Sequence, residues 1–309
     1  MPPLISAQFI KQCARSVGFH DCGIAEARRL DDFDATLDSW LSHRYNADMQ
    51  YMQRNADKRG DPQLLYPGAK SVISVLLSYK PSQTIEGPHK IARYAYGDDY
   101  HLVIKRMLFQ MITLIKDRYP DFNARPFVDT APISDKRWAA AAGLGWIGRN
   151  TLLISPTYGS FCNLGELVSD SPVDAYDAPL DNGCGSCSLC VKSCPNQALQ
   201  CVEGRYMLNA ANCTAYNTIE NRHDTLPDSQ RLAGYVFGCD ICQEVCPRNA
   251  DTQAAVQVSD EKISSLQELA SADESSFDDA TRDTPLSRIS YSQWVRNLKQ
   301  DEPATHPQP

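Results

Sequence analysis

Apolar positions recur at helical spacing over residues 6–17, which predicts an amphipathic helix, and then run together in CGIAEA (22–27), which predicts a short buried strand. LDDFDATLDSWLSHRYNADMQYMQRN (30–55) again spaces its aromatic and Met residues as a helix does, so it is expected to be helical with that stripe in the core. AKSVISVLLSY (69–79) is β-branched, apolar and bounded by Pro67-Gly68 and Pro81, the pattern of a strand. DDYHLVIKRMLFQMITLIKDRY (98–119) predicts a long helix, with Asp98 and Asp99 at the end where carboxylates suit the dipole. ARPFVDT (124–130) predicts a strand and SDKRWAAAAG (134–143) a short Ala-rich helix. NTLLIS (150–155) and SFCNLGELVS (160–169) predict two more strands.

Helices and strands mix here without a regular βαβ rhythm, so residues 1–175 are expected to form a three-layer α+β or α/β sandwich. DAPLDNGCG (177–185) is rich in turn formers and marks a boundary into a second module over 176–255. The remainder, 256–309, opens with an acidic stretch. Its part near 271–283 reads as a mobile surface segment. TPLSRISYSQWVRNL (284–298) then predicts a final helix packing through Ile289, Trp294 and Leu298, and 301–309 are expected to fray.

A chain of 309 residues with 42% hydrophobic and 22% charged positions has ample core for two domains. The net charge of −8 argues against a surface coated in phosphate-binding lysines. Residues 251–283 hold nine of the carboxylates and two basic residues, so nearly all of the excess sits there. The rest is near neutral, and a nucleic-acid partner is neither demanded nor excluded. The start is too polar for a signal peptide. Arg28-Arg29 is followed by polar residues, not by an export segment, and no run approaches a membrane span. No membrane partner is expected, and the chain is expected to act as a monomer.

Twelve cysteines are too few for a secreted disulfide scaffold. Eight fall into two runs: Cys184-x-x-Cys187-x-x-Cys190-x-x-x-Cys194-Pro195, and Cys239-x-x-Cys242-x-x-x-Cys246-Pro247 with Cys213 upstream. In bacterial two-cluster ferredoxins three close thiolates hold one cubane and the fourth ligates the other. Applied here, Cys184, Cys187, Cys190 and Cys246 hold one 4Fe–4S cluster, and Cys194, Cys213, Cys239 and Cys242 the second. Zinc sites use separated C-x-x-C pairs and fit this spacing poorly. Cys13, Cys22, Cys162 and Cys201 are expected to be small buried hydrophobes. Cluster thiolates and free thiols together point to a reducing cytoplasm.

Gly143-Leu-Gly145-Trp-Ile-Gly148 matches the dinucleotide fingerprint, but a helix precedes it and a strand follows, the reverse of what that fingerprint needs. Its glycines are better read as letting a loop pass close to a ligand or a neighbouring backbone. Asp98-Asp99-Tyr100-His101 lacks the glycine of the D-x-H-x-x-G signature, since Ile104 stands there, and His101 reads as a satisfied surface or core histidine. Asp129 ends an apolar strand and is a candidate either for function or for capping the helix near Ser134.

With the cysteine runs, VDTAP, AAGLGWIGRNTLLI, GSFCNLGEL and FGCDICQEVCP in that order, the chain resembles the epoxyqueuosine reductases from about residue 5 to 250. The resemblance implies reduction of the epoxide of epoxyqueuosine at the tRNA wobble position, by a nitroreductase-like cobalamin domain followed by a two-cluster ferredoxin-like module and a short helical C-terminus. Some relatives carry a helical-repeat extension, for which this sequence is too short. Asp129 is implied as proton donor. Asp99, Leu153, Leu164 and Asp240 are implied near cobalamin. Lys136 stands where many relatives have Arg, and Ala215 where many have Ser. Cobalt is expected without a histidine ligand, and an external donor must supply electrons. Arg149, Arg205, Arg222, Arg248 and Arg296 are candidates to grip the anticodon loop. A reductive dehalogenase and a plain iron–sulfur carrier are the competing readings.

Overall fold

The structure is a computed structural model that describes residues 4–301. Helix α1 (Ala7–Ser16) begins where the Ser6 hydroxyl accepts the Phe9 N–H, and it buries Ile10, Cys13 and Ala14. Strand β1 (Asp21–Glu26) follows. Helix α2 (Asp31–Ser42) is shorter than its apolar stripe predicts. Beyond it Arg44, Ala47 and Asn55 take φ of 55°, 47° and 56°, so the chain turns before a second short helix, α3 (Ala56–Arg59). Tertiary bonds account for the break: the Trp40 indole donates to the Leu208 carbonyl at 2.6 Å, and the Tyr45 carbonyl accepts the Ala210 N–H at 2.8 Å.

Next come β2 (Ser71–Ser78), the short β3 (Lys90–Ile91), α4 (Tyr100–Arg118), β4 (Ala124–Phe127) and α5 (Asp135–Ala141). The hairpin β5 (Trp146–Ile147) and β6 (Leu153–Ile154) precedes β7 (Cys162–Ser169). A four-stranded sheet runs β1-β2-β7-β4 with every pairing antiparallel, so the sandwich is α+β. The expected strand at 150–155 shrinks to the hairpin arm β6 and does not join it. Strand alternation gives the sheet two apolar faces. Ile73, Val75 and Leu167 meet α1 and α4 on one face, while Val72, Val168 and Phe127 meet Trp138 and Ile133 on the other. In the Gly143–Gly148 loop a Cβ on Gly145 would collide with the Ile154 carbonyl, so that glycine serves backbone packing.

The cysteine module contains α6 (Leu189–Lys192), the hairpin β8 (Leu199–Val202) and β9 (Arg205–Leu208), α7 (Thr214–Ile219), β10 (Tyr235–Phe237), α8 (Ile241–Glu244) and α9 (Pro247–Ala250). Strand β10 pairs in parallel with β3, tying the module to the first region. The chain then forms α10 (Asp260–Glu268), α11 (Glu274–Thr281) and α12 (Tyr291–Asp301). One apolar core draws Ile91 and Tyr96 from the first region, Val236 and Phe237 from the module, and Leu266, Phe277 and Trp294 from the C-terminal segment.

Two expectations need correction. The acidic stretch near 271–283 is not a loose segment: α11 buries Phe277 completely, with its ring 5.3 Å from that of Trp294. The final helix starts at Tyr291, after a turn at Pro285–Arg288, and reaches Asp301, whose carboxylate accepts the Gly234 N–H at 2.9 Å. Ile289 and Trp294 are buried there, and Leu298 packs against the same core. Residues 302–309, expected to fray, lie outside the described residues. Cys13 and Cys22 are buried, Cys162 is half-buried, and Cys201 is exposed, unlike a core residue. Among the described residues no helix is long and apolar enough to cross a membrane.

If α11 is core, Phe277→Ala should destabilise the protein by about 3–5 kcal/mol, the usual cost of truncating a buried aromatic. Urea and thermal midpoints would read this; a shift near zero would mean that the segment is not packed.

Candidate active site and cysteine clusters

Asp129 lies just beyond β4, in the loop that leads to α5. It takes φ of 39°, a left-handed conformation that costs a non-glycine residue about 1–3 kcal/mol and that concentrates at functional sites. The helix cap it was weighed for is Ser134. Asp129 is thus left free, its side chain 60% exposed. Its Oδ2 accepts the Tyr100 hydroxyl at 2.8 Å and faces His101 Nε2 at 3.1 Å. His101 Nδ1 meets Asp99 Oδ1 at 2.7 Å, and the same oxygen caps α4 by accepting the His101 N–H at 2.9 Å. The Tyr100 and His101 rings stack at 4.0 Å.

His101 is therefore not a solitary histidine. Its two nitrogens join Asp99 and Asp129 into one carboxylate–imidazole–carboxylate chain. Burial alone would lower the imidazole pKa, but the hydrogen bonds and charges of Asp129 and Asp99 outweigh it and hold the imidazole above its ordinary value. For Asp129, the protein atoms crowded around the carboxyl favour the neutral acid, yet the His101 and Tyr100 hydrogen bonds and then the His101 and Arg288 charges hold it below the usual range. The resting proton of this pair sits on the imidazole. The signal for His101 in the sequence was its place at the second position of a helix capped by Asp99.

Behind Asp129 lies a second acidic pair. Glu166 in β7 is completely buried opposite Ser74 and Phe127, with neither carboxylate oxygen bonded, and Asp135 Oδ1 is likewise unpartnered. Burial and then the Asp129 charge raise Asp135 to about 6, while burial and then the Asp135 and Asp129 charges raise Glu166 well above its ordinary value. A carboxyl pair without a bonded cation keeps one proton. Burial, and then the Arg137 charge, lower the neighbouring Lys136 ammonium to about 8, and Lys136 donates to the Thr151 carbonyl at 2.7 Å.

An aromatic wall runs from this site toward the cysteines. The Tyr94 ring is 6.1 Å from Tyr100, 6.4 Å from Tyr79 and 6.0 Å from Phe237, and Tyr79 is 5.9 Å from Phe161. At its far end is Asp240, only 1% exposed, which accepts the Arg93 N–H at 2.8 Å and the Gln243 amide at 3.2 Å. Burial raises Asp240 to about 6 despite Arg93. Its carboxylate is thus engaged in holding the two regions together. Leu153 and Leu164 come together around Leu76, Ala139 and Leu144. Ala215 lies on α7 just after Cys213, its carbonyl 3.3 Å from the Thr218 hydroxyl.

The fold gathers the eight cysteines in two groups. Burial first, and then Cys184 and Cys187, push up the Cys246 thiol; Cys190 feels burial and then Cys246, Cys184 and Cys187. Burial raises Cys213, with Cys194 adding to it, and Cys239 with Cys213 and Cys194. Cys242 is raised by burial, Cys239 and Cys213, and more weakly by Cys190 of the other group. Among the described residues no three His, Cys, Asp or Glu converge on one metal ion, an arrangement tighter than a cubane needs. Arg149 and Arg248 brace the turn bearing Cys184 and Cys187, by donating to Gly185 at 2.7 Å and Gly183 at 2.9 Å. Pro247 occupies the first turn of α9, where its missing N–H leaves nothing unpaired.

Of the remaining arginines, Arg205 meets the Thr36 hydroxyl at 3.1 Å, and Arg222 bonds Gln293 and donates to the Arg288 carbonyl at 2.9 Å. Arg296 is corrected from a candidate surface cation to a buried brace, 8% exposed and donating to the carbonyls of Asn217, Asn221 and His223. Arg288 was missed. It pairs with Glu220 at 3.0 Å, is 54% exposed and acts on Asp129 from the C-terminal segment.

The family model described as epoxyqueuosine reductase QueG, DUF1730, matches residues 59–130, and that of a 4Fe-4S double cluster binding domain matches residues 183–249. An epoxyqueuosine reductase of Cyclobacterium marinum is 38% identical over 302 residues, 94% of this chain and 95% of that protein. The chain belongs to the epoxyqueuosine reductase family. It is an oxidoreductase of that family with an iron–sulfur domain. A solved epoxyqueuosine reductase with a tRNA-Tyr epoxyqueuosine-modified stem loop superposes with a TM-score of 0.81, 27% identity, 95% of this chain and 80% of that one. One from Bacillus subtilis, with its catalytic Asp loop swung out of the active site, gives 0.83, 25%, 95% and 80%.

The imidazole contact is open to direct titration. Because His101 is raised on folding, it adds stability that is complete below about pH 6.5 and lost as pH rises through the folded value. Nitrogen-15 NMR should show His101 titrating above about 6.5, and lower in both Asp129→Asn and Asp99→Asn; a value unmoved by both would contradict the chain.

Proposed function

We propose that this protein reduces the epoxide of epoxyqueuosine in the anticodon loop of tRNA to the alkene of queuosine, with cobalamin and two 4Fe–4S clusters. The observation that carries the reading is Asp129, exposed and hydrogen-bonded at one end of an aromatic wall whose other end carries Cys239 and Cys242. It stands beside 38% identity, over 94% of the chain, to an epoxyqueuosine reductase. The relative solved with a modified tRNA stem loop supports the substrate class. This favours the reading over a dehalogenase or a plain electron carrier.

The residues present fit cobalamin. Trp146 Nε1 and Asn150 Nδ2 are buried donors without partners in the β5–β6 hairpin, which also supplies Leu153 to the apolar cluster holding Leu144 and Leu164. A macrocycle with an apolar face and a rim of amides suits both features. Lys136 steadies the Thr151 carbonyl beside Asn150, and Ala215 and Asp240 are the proposed contacts from the cysteine module. Asp99 acts through His101. Cobalamin, when bound, supplies the reducing metal; the rest falls to the chain.

Cys184, Cys187, Cys190 and Cys246 hold the outer cluster, where Cys187 is exposed to an external electron donor. Cys194, Cys213, Cys239 and Cys242 hold the inner one. The two clusters, when bound, would supply single electrons from the external donor to the site. The epoxide oxygen is a poor leaving group as alkoxide, and Asp129 protonates it. Covering this exposed carboxyl with substrate strips its water, which raises its pKa toward the acid form. The loop bearing it is of the kind described as swung out in the Bacillus subtilis enzyme. Splayed loop bases suit an exposed site of this kind, and Arg222 and Arg288, linked by the Arg288 carbonyl, are the proposed phosphate contacts. Low-potential clusters require a reducing compartment, so the cytoplasm is the proposed location, with the chain acting as a monomer.

Turnover of epoxyqueuosine-containing tRNA by anaerobically loaded protein tests this. Asp129→Asn should keep both cofactors, as read by iron content and the corrin absorption, and lose at least about a hundredfold in turnover. Full activity in that variant would remove Asp129 as the donor.

A further inference from the structure

Opening an epoxide to an alkene consumes two electrons and two protons at one oxygen, which leaves as water. Asp129 carries one proton at a time, so something must refill it before the second transfer. The refilling group must touch Asp129, carry a proton that it can give up and reach solvent to be recharged.

His101 meets all three needs. Its Nε2 is 3.1 Å from Asp129 Oδ2, its Nδ1 is 2.7 Å from Asp99 Oδ1, and its side chain is 29% exposed. Asp99 is fixed as the cap of α4, so the ring is held from behind while Nε2 points at Asp129. The Tyr100 ring stacks on it and offers its hydroxyl to the same Asp129 oxygen. The groups facing the imidazole are Asp99, Asp129 and Tyr100, with Arg288 acting on Asp129 from the C-terminal segment. The buried Asp135–Glu166 pair also holds a proton, but no hydrogen bond links it to Asp129.

Resting on the function proposed above, we infer that His101 is the positioning residue that recharges Asp129 and so supplies the second proton of the reaction. In the first transfer the imidazolium Nε2–H passes to the Asp129 carboxylate and on to the epoxide oxygen as a C–O bond opens, and His101 takes a proton from solvent. The Nε2–H of the imidazolium then passes to the Asp129 carboxylate, leaving neutral His101 with Nδ1–H on Asp99. Asp129 delivers this proton to the same oxygen, which departs as water while the second C–O bond breaks. The substrate gains two electrons from the external reductant by way of the iron–sulfur clusters, and His101 takes a new proton from solvent.

The test compares wild type, His101→Gln and His101→Ala on epoxyqueuosine-containing tRNA stem loop, with iron and corrinoid content matched. Gln keeps a donor toward Asp129 but has no proton to give. Turnover should fall about a hundredfold in both variants with KM little changed. The wild-type rate should decline as pH rises through the imidazolium pKa, and that limb should vanish in His101→Gln. Added imidazole should restore part of the rate in His101→Ala, and none in a His101→Ala, Asp129→Asn double variant. A His101→Gln enzyme with wild-type rate and pH profile would overturn the assignment, as would low activity that imidazole never rescues. A wild type inert toward the stem loop would bring down the functional reading and this step with it. An active wild type with an unaffected variant would bring down this step alone.

Discussion

Two-cluster binding, as proposed, rests on one constraint: eight sulfurs far apart in sequence must meet in two groups. The chain solves it by interleaving. Cys246 returns to the turn of Cys184, Cys187 and Cys190, while Cys194 leaves that turn for Cys213, Cys239 and Cys242. Neither group is complete until both runs have folded together. The surrounding architecture serves this closure, with β10 pairing to β3, Asp240 bonded to the Arg93 backbone, and Arg149 and Arg248 holding the first turn in place. Burial disfavours the ionised form of these thiols, and a bound metal is what makes thiolates favourable there.

At the other end of the aromatic wall the constraint is electrostatic. Asp129 is presented on a strained, exposed loop, and its charge is answered by an imidazolium held in turn by Asp99. A lone exposed carboxylate would sit ionised and serve poorly as an acid. In the proposed reaction its hydrogen bond to His101 keeps a proton within reach, which substrate binding would draw across. The buried Asp135–Glu166 pair keeps one proton behind the loop and limits the negative charge there. Arg288, from the last segment of the chain, completes the rim.

Much of this was legible in the sequence because it is local. The cysteine spacing, the β-branched run at 71–78 and the capped helix at 100–118 each state their structure within a few residues. What was not legible depends on partners distant in sequence. The stripe at 30–55 looks helical throughout, but hydrogen bonds to Leu208 and Ala210 decide where it breaks. The acidic stretch near 271–283 hides a single buried aromatic, Phe277, whose partners are Tyr291 and Trp294. His101 looked unpartnered because Asp129 lies 28 residues away. Arg296 looked like a surface cation until three carbonyls closed around it.

The interleaving can be measured most directly by metal content and electron paramagnetic resonance of anaerobically prepared Cys246→Ala beside wild type. Wild type should hold about eight irons, with reduced clusters whose signals interact. The variant should fall to about four irons, lose the interaction and keep the signal of the group containing Cys239 and Cys242. Full iron content in the variant, or zinc in place of iron in wild type, would contradict the account.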